Sequence, residues 1–233
     1  LVVNPLRLLL SGKPFIENYE WKPGQGTRFI LIDKKDGSAR SYNAEAFFAF
    51  HHVNAFEEKG EVFVDIAAYR DPEIITALYL ENLQAGKPIP PTELRRYRLP
   101  AQGKAADFEL LSSEPLELPR LNYKRHNGKA YRYAYGVGVR RAGGFADQLV
   151  KVDVRERTAK PWWEENTYPG EPVFIARPGA VAEDDGVILS VALDTVKGTS
   201  FLLVLDAASF TELARAEVPH HIPFGFHGQF FEK

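Results

Sequence analysis

Short runs of alternating apolar and polar residues fill most of the chain, and this pattern predicts strands. The first runs lie at about 27–32, 38–42, 46–52 and 61–67, with a hairpin signal, Asp36-Gly37, between the first two. Later runs lie at about 94–99, 108–113, 116–123, 130–138, 147–153, 157–163, 172–176, 186–192, 200–206, 210–217 and 226–231. Asn127-Gly128 predicts a two-residue hairpin among them. The pattern therefore predicts an all-β chain of about fifteen strands.

One segment, residues 71–86, has the pattern of a helix instead. Asp71 is a candidate N-cap, Pro72 would occupy the first helical position, and Gly86 follows the last turn. The prolines in residues 87–91 prevent the helix from continuing. Because strands resume at residue 94, we expect this helix to be an insertion between two strands.

Composition narrows the classes of protein that fit. The 233 residues suffice for one large domain, and the net charge of −2 gives no electrostatic reason to expect nucleic acid as a partner. The chain contains no cysteine, so disulfides, thiolate metal sites and a cysteine nucleophile are excluded. No apolar run reaches the roughly 18 residues needed to span a bilayer. The chain contains no methionine and starts at Leu1, which suggests a piece of a longer product.

Histidines within aromatic runs are the main candidates for chemistry. His51 and His52 end the run Phe47-Phe-Ala-Phe50, and His227 lies in a similar setting at Phe224-Gly-Phe-His-Gly. Such histidines are either metal ligands or core residues satisfied by backbone groups. The His-x-Glu-x-His and His-Glu-x-x-His motifs of common metal sites are absent. Chelation by His220 and His221 with His227 is disfavoured by the flanking prolines.

Several motifs, in order along the chain, carry a family resemblance. They are 50–57 (FHHVNAFE), 171–179 (EPVFIARPG), 183–190 (EDDGVILS), 201–206 (FLLVLD), 215–219 (RAEVP) and 223–228 (PFGFHG). Together they resemble the carotenoid cleavage oxygenase family, and most of all its animal-type branch of β-carotene oxygenases and the retinal pigment epithelium isomerase. The motifs match only the C-terminal half of the family's usual length. The resemblance implies that residues 1–233 are the C-terminal part of a single domain, whose N-terminal half is absent from this chain.

The resemblance also implies a fold. The family forms a seven-bladed β-propeller with iron on its axis, so this chain would hold about half of it, three to four blades, with one inserted helix. Four-stranded blades are one way to protect strand edges. Half a propeller exposes the flanks of its end blades, so we expect the chain to need the N-terminal half of the same propeller as a partner.

The resemblance further implies a metal site. The family binds Fe(II) with four histidines, and two of them correspond to His51 and His227, while the other two would lie in the missing half. His51 is preferred to His52 because the family keeps the first histidine of the pair. Ligand imidazoles need an acceptor on the second ring nitrogen. Glu117 and Glu171 match the family's glutamates in this role, although each could instead be a solvated charge at a strand edge.

The implied activity is oxidative cleavage of a double bond in a carotenoid or apocarotenoid by O2, giving aldehyde or ketone products. Tyr69 and Phe226 are candidates to line an apolar tunnel for the substrate. Two alternatives remain open: an iron enzyme that isomerises a retinoid and cleaves its ester, and a non-catalytic carotenoid or lipid carrier. We expect a cytoplasmic protein with a peripheral membrane contact.

Two other stretches, one rich in glycine and one acidic, superficially resemble ligand-binding motifs. Residues 136–144 resemble a dinucleotide-binding loop, but the sixth position is not glycine and a strand, not a helix, is predicted to follow. Residues 183–185 are three consecutive acids, which are more typical of a solvated turn than of a calcium site.

Overall fold

The computed structural model describes residues 1–140 and 144–231. Within these residues the strands are β1 (Val2–Val3), β2 (Tyr19–Glu20), β3 (Thr27–Ile32), β4 (Ala39–Ala44), β5 (His52–Glu58), β6 (Glu61–Ala68), β7 (Glu93–Leu99), β8 (Asp107–Ser112), β9 (Glu117–Arg120), β10 (Tyr133–Gly138), β11 (Gln148–Asp153), β12 (Thr158–Trp162), β13 (Thr167–Pro169), β14 (Val173–Ala176), β15 (Gly186–Asp194), β16 (Thr199–Asp206) and β17 (Glu212–Glu217). The helices are α1 (Pro5–Leu10), α2 (Glu73–Ala77), α3 (Leu80–Gln84) and α4 (Tyr123–His126), with 3₁₀ turns at Phe15–Asn18 and Pro23–Gln25. No helix in the described part of the chain is long and apolar enough to cross a membrane.

Three antiparallel sheets follow one another along the chain. The first sheet is β5–β8 and the second is β9–β12, each with its strands in chain order. In the third sheet, β13 and β14 both pair with β15, which continues to β16 and β17. A β3–β4 hairpin precedes the first sheet, and β1 pairs with β2. The prediction of an all-β chain built from successive antiparallel sheets is confirmed.

The core lies between neighbouring sheets. One apolar cluster joins residues of the first and second sheets, another joins the second and third, and a third joins the β3–β4 hairpin to the first sheet. In β11, Val150 packs in the first of these clusters and Leu149 in the second, because successive side chains of a strand point to opposite faces. The second sheet is therefore covered on both faces, in the manner of a blade between two other blades.

Buried ions also join the sheets. Asp65 of the first sheet is fully buried; it pairs with both ends of the Arg96 guanidinium at 2.8 Å and accepts a hydrogen bond of 2.6 Å from Tyr131, which precedes β10. Lys151 of the second sheet donates to Asp184 at 2.6 Å and to the carbonyl of Ala207 at 2.7 Å in the third sheet. A buried charge needs such partners to offset its desolvation.

The predicted strand at 46–52 is wrong. Residues 47–51 form an irregular segment with a single bridge between Phe48 and Tyr69, and the regular ladder starts only at His52. The aromatic side chains pack as a cluster instead; for example, the rings of Phe47 and Tyr97 are stacked with centroids 4.9 Å apart. Aromatic residues suggested a strand, but their packing does not require a strand ladder.

The predicted helix at 71–86 is divided into α2 and α3. Asp71 does accept a hydrogen bond from the Glu73 N–H at 3.0 Å, as expected near a helix start. Tyr79, however, has an extended backbone (φ −63°, ψ 137°), and the Asn82 side chain donates to the Thr76 carbonyl at 2.6 Å. An amide that satisfies a carbonyl at the end of α2 stabilises the break. Short helices also occur outside this insertion, at α1 and α4.

Two further turn and strand predictions are wrong. Asn127-Gly128 is not a two-residue hairpin, because α4 lies between β9 and β10; the Asn54 side chain of the first sheet supports this connection, accepting from the Gly128 N–H at 3.1 Å. Residues 226–231 form no strand, since their hydrogen bonds go to side chains of other segments. Of the glycine-rich stretch 136–144, residues 141–143 lie outside the described residues.

Candidate metal centre

Two histidine side chains from distant parts of the chain meet at one end of the sheets. His51 immediately precedes β5, and His227 lies in the segment that follows β17. Their ring centroids are 5.4 Å apart, and the ring planes are inclined by 83°. The structure thus brings together the two histidines that the sequence analysis selected.

Each of these imidazoles contacts a carboxylate through Nδ1. His51 Nδ1 lies 2.6 Å from Glu117 Oε2, and His227 Nδ1 lies 2.9 Å from Glu171 Oε1. An ionised carboxylate only accepts hydrogen bonds, so each contact requires a proton on Nδ1, and in a neutral ring Nε2 then keeps the lone pair. Neither Nε2 is hydrogen-bonded to any described residue. A neutral imidazole held in this way is in the tautomer that a metal ligand needs.

The backbone around Glu117 is irregular in a way that directs its side chain toward His51. Leu118 has a φ of 47°, which is rare for a residue other than glycine. The pairing of β9 with β10 shifts register between Tyr135 and Val137, which is the signature of a β-bulge. β10 approaches closely here: a Cβ on Gly136 would lie 2.5 Å from the Leu116 side chain and 2.7 Å from the Glu117 carbonyl oxygen. Bulges of this kind re-aim a side chain next to a functional site.

Glu171 lies between β13 and β14, and its side chain is only 5% exposed. It accepts hydrogen bonds from the Gly228 N–H at 2.7 Å and from Arg120 Nη2 at 3.0 Å. Burial by itself would raise the pKa of Glu171. The hydrogen bonds from Arg120, His227 and the Gly228 backbone outweigh burial and hold the pKa of this carboxyl below its usual value. The carboxylate is therefore ionised at neutral pH.

A largely apolar cavity of about 450 Å³ opens beside His51 and Glu117. Its walls come from α2, from residues 89–92, from the start of β9, from the end of β10 and from residues 224–226. Tyr69 and Phe226 both line it, Tyr69 buried and Phe226 exposed at the edge. Burial, and then the negative charge of the nearby Glu117, raise the pKa of the Tyr69 phenol, so it stays protonated.

The remaining histidines do not join this pair. His52 is exposed to solvent, although surrounding protein atoms partly desolvate its ring; this desolvation, and then the nearby His51, lower its pKa. His126 Nδ1 lies 2.9 Å from the Ala130 carbonyl oxygen, and His220 and His221 are exposed. The described residues contain no group of three or more His, Cys, Asp or Glu side chains able to hold a metal. The pair of histidines fits the chemistry of a first-row metal such as iron, but it supplies only part of a coordination sphere.

Sequence reasoning missed Arg120, which contacts both Glu171 and the carbonyl of Gly228. It also missed α2 and residues 89–92 as walls of the cavity. No local signal in one sequence marks Arg120, since its partners lie 51 and 108 positions away.

Known proteins resemble this chain over nearly its whole length. The family model described as retinal pigment epithelial membrane protein matches residues 1–232. The carotenoid-cleaving dioxygenase, mitochondrial, of Macaca fascicularis is 38% identical over 95% of this chain and 47% of its own length. The carotenoid cleavage dioxygenase 8 homolog A, chloroplastic, of Oryza sativa subsp. japonica is 38% identical over 90% of this chain and 40% of its own length.

Among solved structures, cobalt-substituted apocarotenoid oxygenase of Synechocystis superposes with a TM-score of 0.87. It is 26% identical, and the match covers 100% of this chain and 49% of that chain. The chain therefore spans about half the length of this structure and less than half the length of the two relatives. The stacked sheets are the corresponding part of the carotenoid oxygenase propeller, which confirms the predicted fold.

The chain belongs to the retinal pigment epithelial membrane protein family, whose members include the carotenoid-cleaving dioxygenases. The family resemblance of the sequence motifs is thereby confirmed. The assignment of individual residues as ligands, supports or tunnel walls is not tested by this membership.

Proposed function

We propose that this chain is the C-terminal part of an Fe(II)-dependent dioxygenase that cleaves one double bond of a carotenoid or apocarotenoid. The alkene and one O2 would yield two carbonyl products, each carrying one oxygen atom. The observation that supports this proposal most directly is the pair of imidazoles, each held by a glutamate through Nδ1, at the wall of an apolar cavity. The similarity to carotenoid-cleaving dioxygenases supports the same class of reaction.

His51 and His227 would hold the iron through Nε2, and the other two histidines of a four-histidine site would come from the N-terminal half of the same propeller. When bound, the iron would supply the activation of dioxygen. Glu117 and Glu171 would fix the tautomer and the orientation of the imidazoles and increase their basicity. The residues of this chain thus fix the tautomer and angle of two ligands before any metal arrives.

The cavity would hold the polyene and exclude water. Its lining is almost entirely apolar apart from a few polar side chains such as His51 and Glu117, which suits a hydrocarbon substrate. The protonated phenol of Tyr69 and the ring of Phe226, which both line the cavity, would contact the substrate. Binding of this kind positions one double bond against the reacting centre.

The partners and location follow from the same surfaces. The exposed side chains of Ile30 and Ile32 on the β3–β4 hairpin support packing against the N-terminal half of the propeller. Leu80 is exposed beside Leu78, and Phe226 is exposed at the cavity edge, which supports a peripheral contact with a membrane that holds the substrate. The proposed location remains the one expected from the sequence, the cytoplasm, with contact at a membrane surface. Nucleic acid is not proposed as a partner, because the net charge is −2.

The test uses the complete protein with ¹⁸O2 and either β-carotene or an apocarotenal. We expect products with one labelled oxygen each, identified by mass spectrometry. H51A and H227A should lose both iron and turnover. H52A is the matched control, because His52 is the exposed neighbour of His51 and should retain both. Full iron content in H51A or H227A would show that the ligand assignment is wrong.

Other outcomes of the same assay separate the alternatives. A retinyl ester converted to an isomerised retinoid without label from O2 would replace the dioxygenase by the isomerase function. Stable binding of carotenoid by an iron-free wild-type protein, with no product, would support a carrier.

A further inference from the structure

The segment that carries His227 is held in an unusual way. It follows β17 without regular secondary structure. Within the described residues, every hydrogen bond of residues 223–231 involves one of two side chains, Glu171 or Arg120. Glu171 accepts from His227 Nδ1 and from the Gly228 N–H, and Arg120 Nη2 donates to the Gly228 carbonyl. The position of His227 therefore depends on side chains and not on a strand ladder.

Arg120 connects these contacts. Its Nη2 donates to Glu171 Oε2 at 3.0 Å, and its Nε lies 2.9 Å from Glu171 Oε1 as an ion-pair contact without hydrogen-bond geometry. The Arg120 side chain is 17% exposed and that of Glu171 is 5% exposed, so this is a largely desolvated ion pair. One hydrogen bond to Oε2 and a close ion-pair contact with Oε1 hold the carboxylate of Glu171 in place, and the same Nη2 also donates to the Gly228 carbonyl.

We infer that Arg120 is a positioning residue for His227. By orienting Glu171, it leaves one carboxylate oxygen for His227 Nδ1 and the other for the Gly228 N–H. By binding the Gly228 carbonyl, it also holds the residue that follows His227. The inference rests on the proposed metal site and adds a residue to the set that builds it.

The other histidine provides an internal comparison. Glu117, which supports His51, lies on the same strand β9 as Arg120 but contacts no arginine side chain in the described residues. Strand β9 thus supports both histidines. Glu117 contacts His51 directly, and Arg120 acts on His227 through Glu171.

The test measures Co²⁺ binding to the complete, metal-free protein by competition with a chelator, together with the visible absorption of bound Co²⁺. R120M keeps most of the side-chain stem but removes all donors. We expect it to lower Co²⁺ affinity by about 10- to 100-fold and to change the visible spectrum, as removal of an outer-shell partner does in general. R120K keeps the positive charge but not the planar guanidinium with its several donors, so its Co²⁺ affinity should lie between those of R120M and wild type.

A matched control and a coupling measurement separate positioning from general stability. Among the described residues, the Arg125 side chain donates only to the Ala180 and Val181 carbonyls, at 3.2 and 3.1 Å, so R125M should bind Co²⁺ as wild type does. Because Arg120 acts through Glu171, the R120M/E171Q double variant should bind no more than about 3-fold more weakly than the weaker single variant.

Each other outcome counts against the inference. Wild-type affinity and spectrum in folded R120M would overturn it, as would equal losses in R120M and R125M. If R120M does not fold, R120K decides, and wild-type affinity in R120K overturns the inference. Wild-type protein that binds no Co²⁺ would overturn the proposed metal site and this inference together, whereas failure at Arg120 alone would leave the site standing.

Discussion

Tyr131→Phe tests whether a polar contact joins the first and second sheets. The Tyr131 hydroxyl donates to Asp65 Oδ2 at 2.6 Å, and both groups are buried. Burial, followed by the charge of Asp65, raises the pKa of Tyr131, so the phenol remains a donor at neutral pH. Phenylalanine keeps the ring, and Asp65 keeps both of its bonds to Arg96. The substitution therefore removes one hydrogen bond without creating a cavity or an unpaired charge.

The magnitude follows from the charge of the acceptor. A hydrogen bond to a charged group contributes about 1.5–3 kcal/mol to the free energy of unfolding, and a neutral one contributes about 0.5–1.5 kcal/mol. Tyr42→Phe is the matched control, because Tyr42 is equally buried and donates to a neutral acceptor, the Pro100 carbonyl, at 3.1 Å. We expect Y131F to destabilise the protein about twice as much as Y42F.

The assay is urea-induced unfolding of the complete protein, followed by tryptophan fluorescence and far-UV circular dichroism. The fluorescence and circular dichroism transitions must coincide, and the slope of the unfolding free energy against urea concentration must be the same in the variants and wild type, before the midpoints are converted to free energies. Equal midpoints for Y131F and Y42F would refute the reasoning, because the charge on Asp65 would then add nothing to the contact.

Two further predictions concern the metal centre. Glu117→Gln should lower the metal affinity of the complete protein by about 10- to 100-fold with little loss of stability, because the amide keeps the shape of the side chain but loses its charge. The control is Glu57→Gln at an exposed position, which should match wild type in metal affinity. Gly136→Ala should destabilise by about 1–3 kcal/mol and weaken metal binding, because the added Cβ would overlap the Leu116 side chain. The control is Gly24→Ala, whose added Cβ would meet no atom within 4 Å and should change neither stability nor metal affinity. Equal effects of the two glycine substitutions in urea unfolding and in chelator competition would contradict the prediction.

Strand positions were largely predictable from the sequence, because alternation of apolar and polar residues is a local signal. β3, β6 and β16 lie close to their predicted positions. The failures share a physical cause, which is that a partner far away in the chain decides the local structure. The Asn54 side chain supports the turn at Gly128, and contacts with Glu171 replace a strand at residues 226–231.

The candidate site was predictable only through family motifs. Glu117 lies 66 positions from His51, and Glu171 lies 56 positions from His227, so no spacing rule could pair them. Arg120 had no motif to mark it. Its partners become neighbours only after the second and third sheets pack together.

The cavity and the histidine pair are built from different kinds of structure. Ile74 and Leu78 form part of the cavity wall, and they belong to a connection between β6 and β7 that is separate from the strands carrying the glutamates. Residues in such a connection can change in size or number while the sheets stay the same. Under the proposed function, this connection can therefore vary and reshape the cavity without altering the strands that carry the glutamates or the histidine pair.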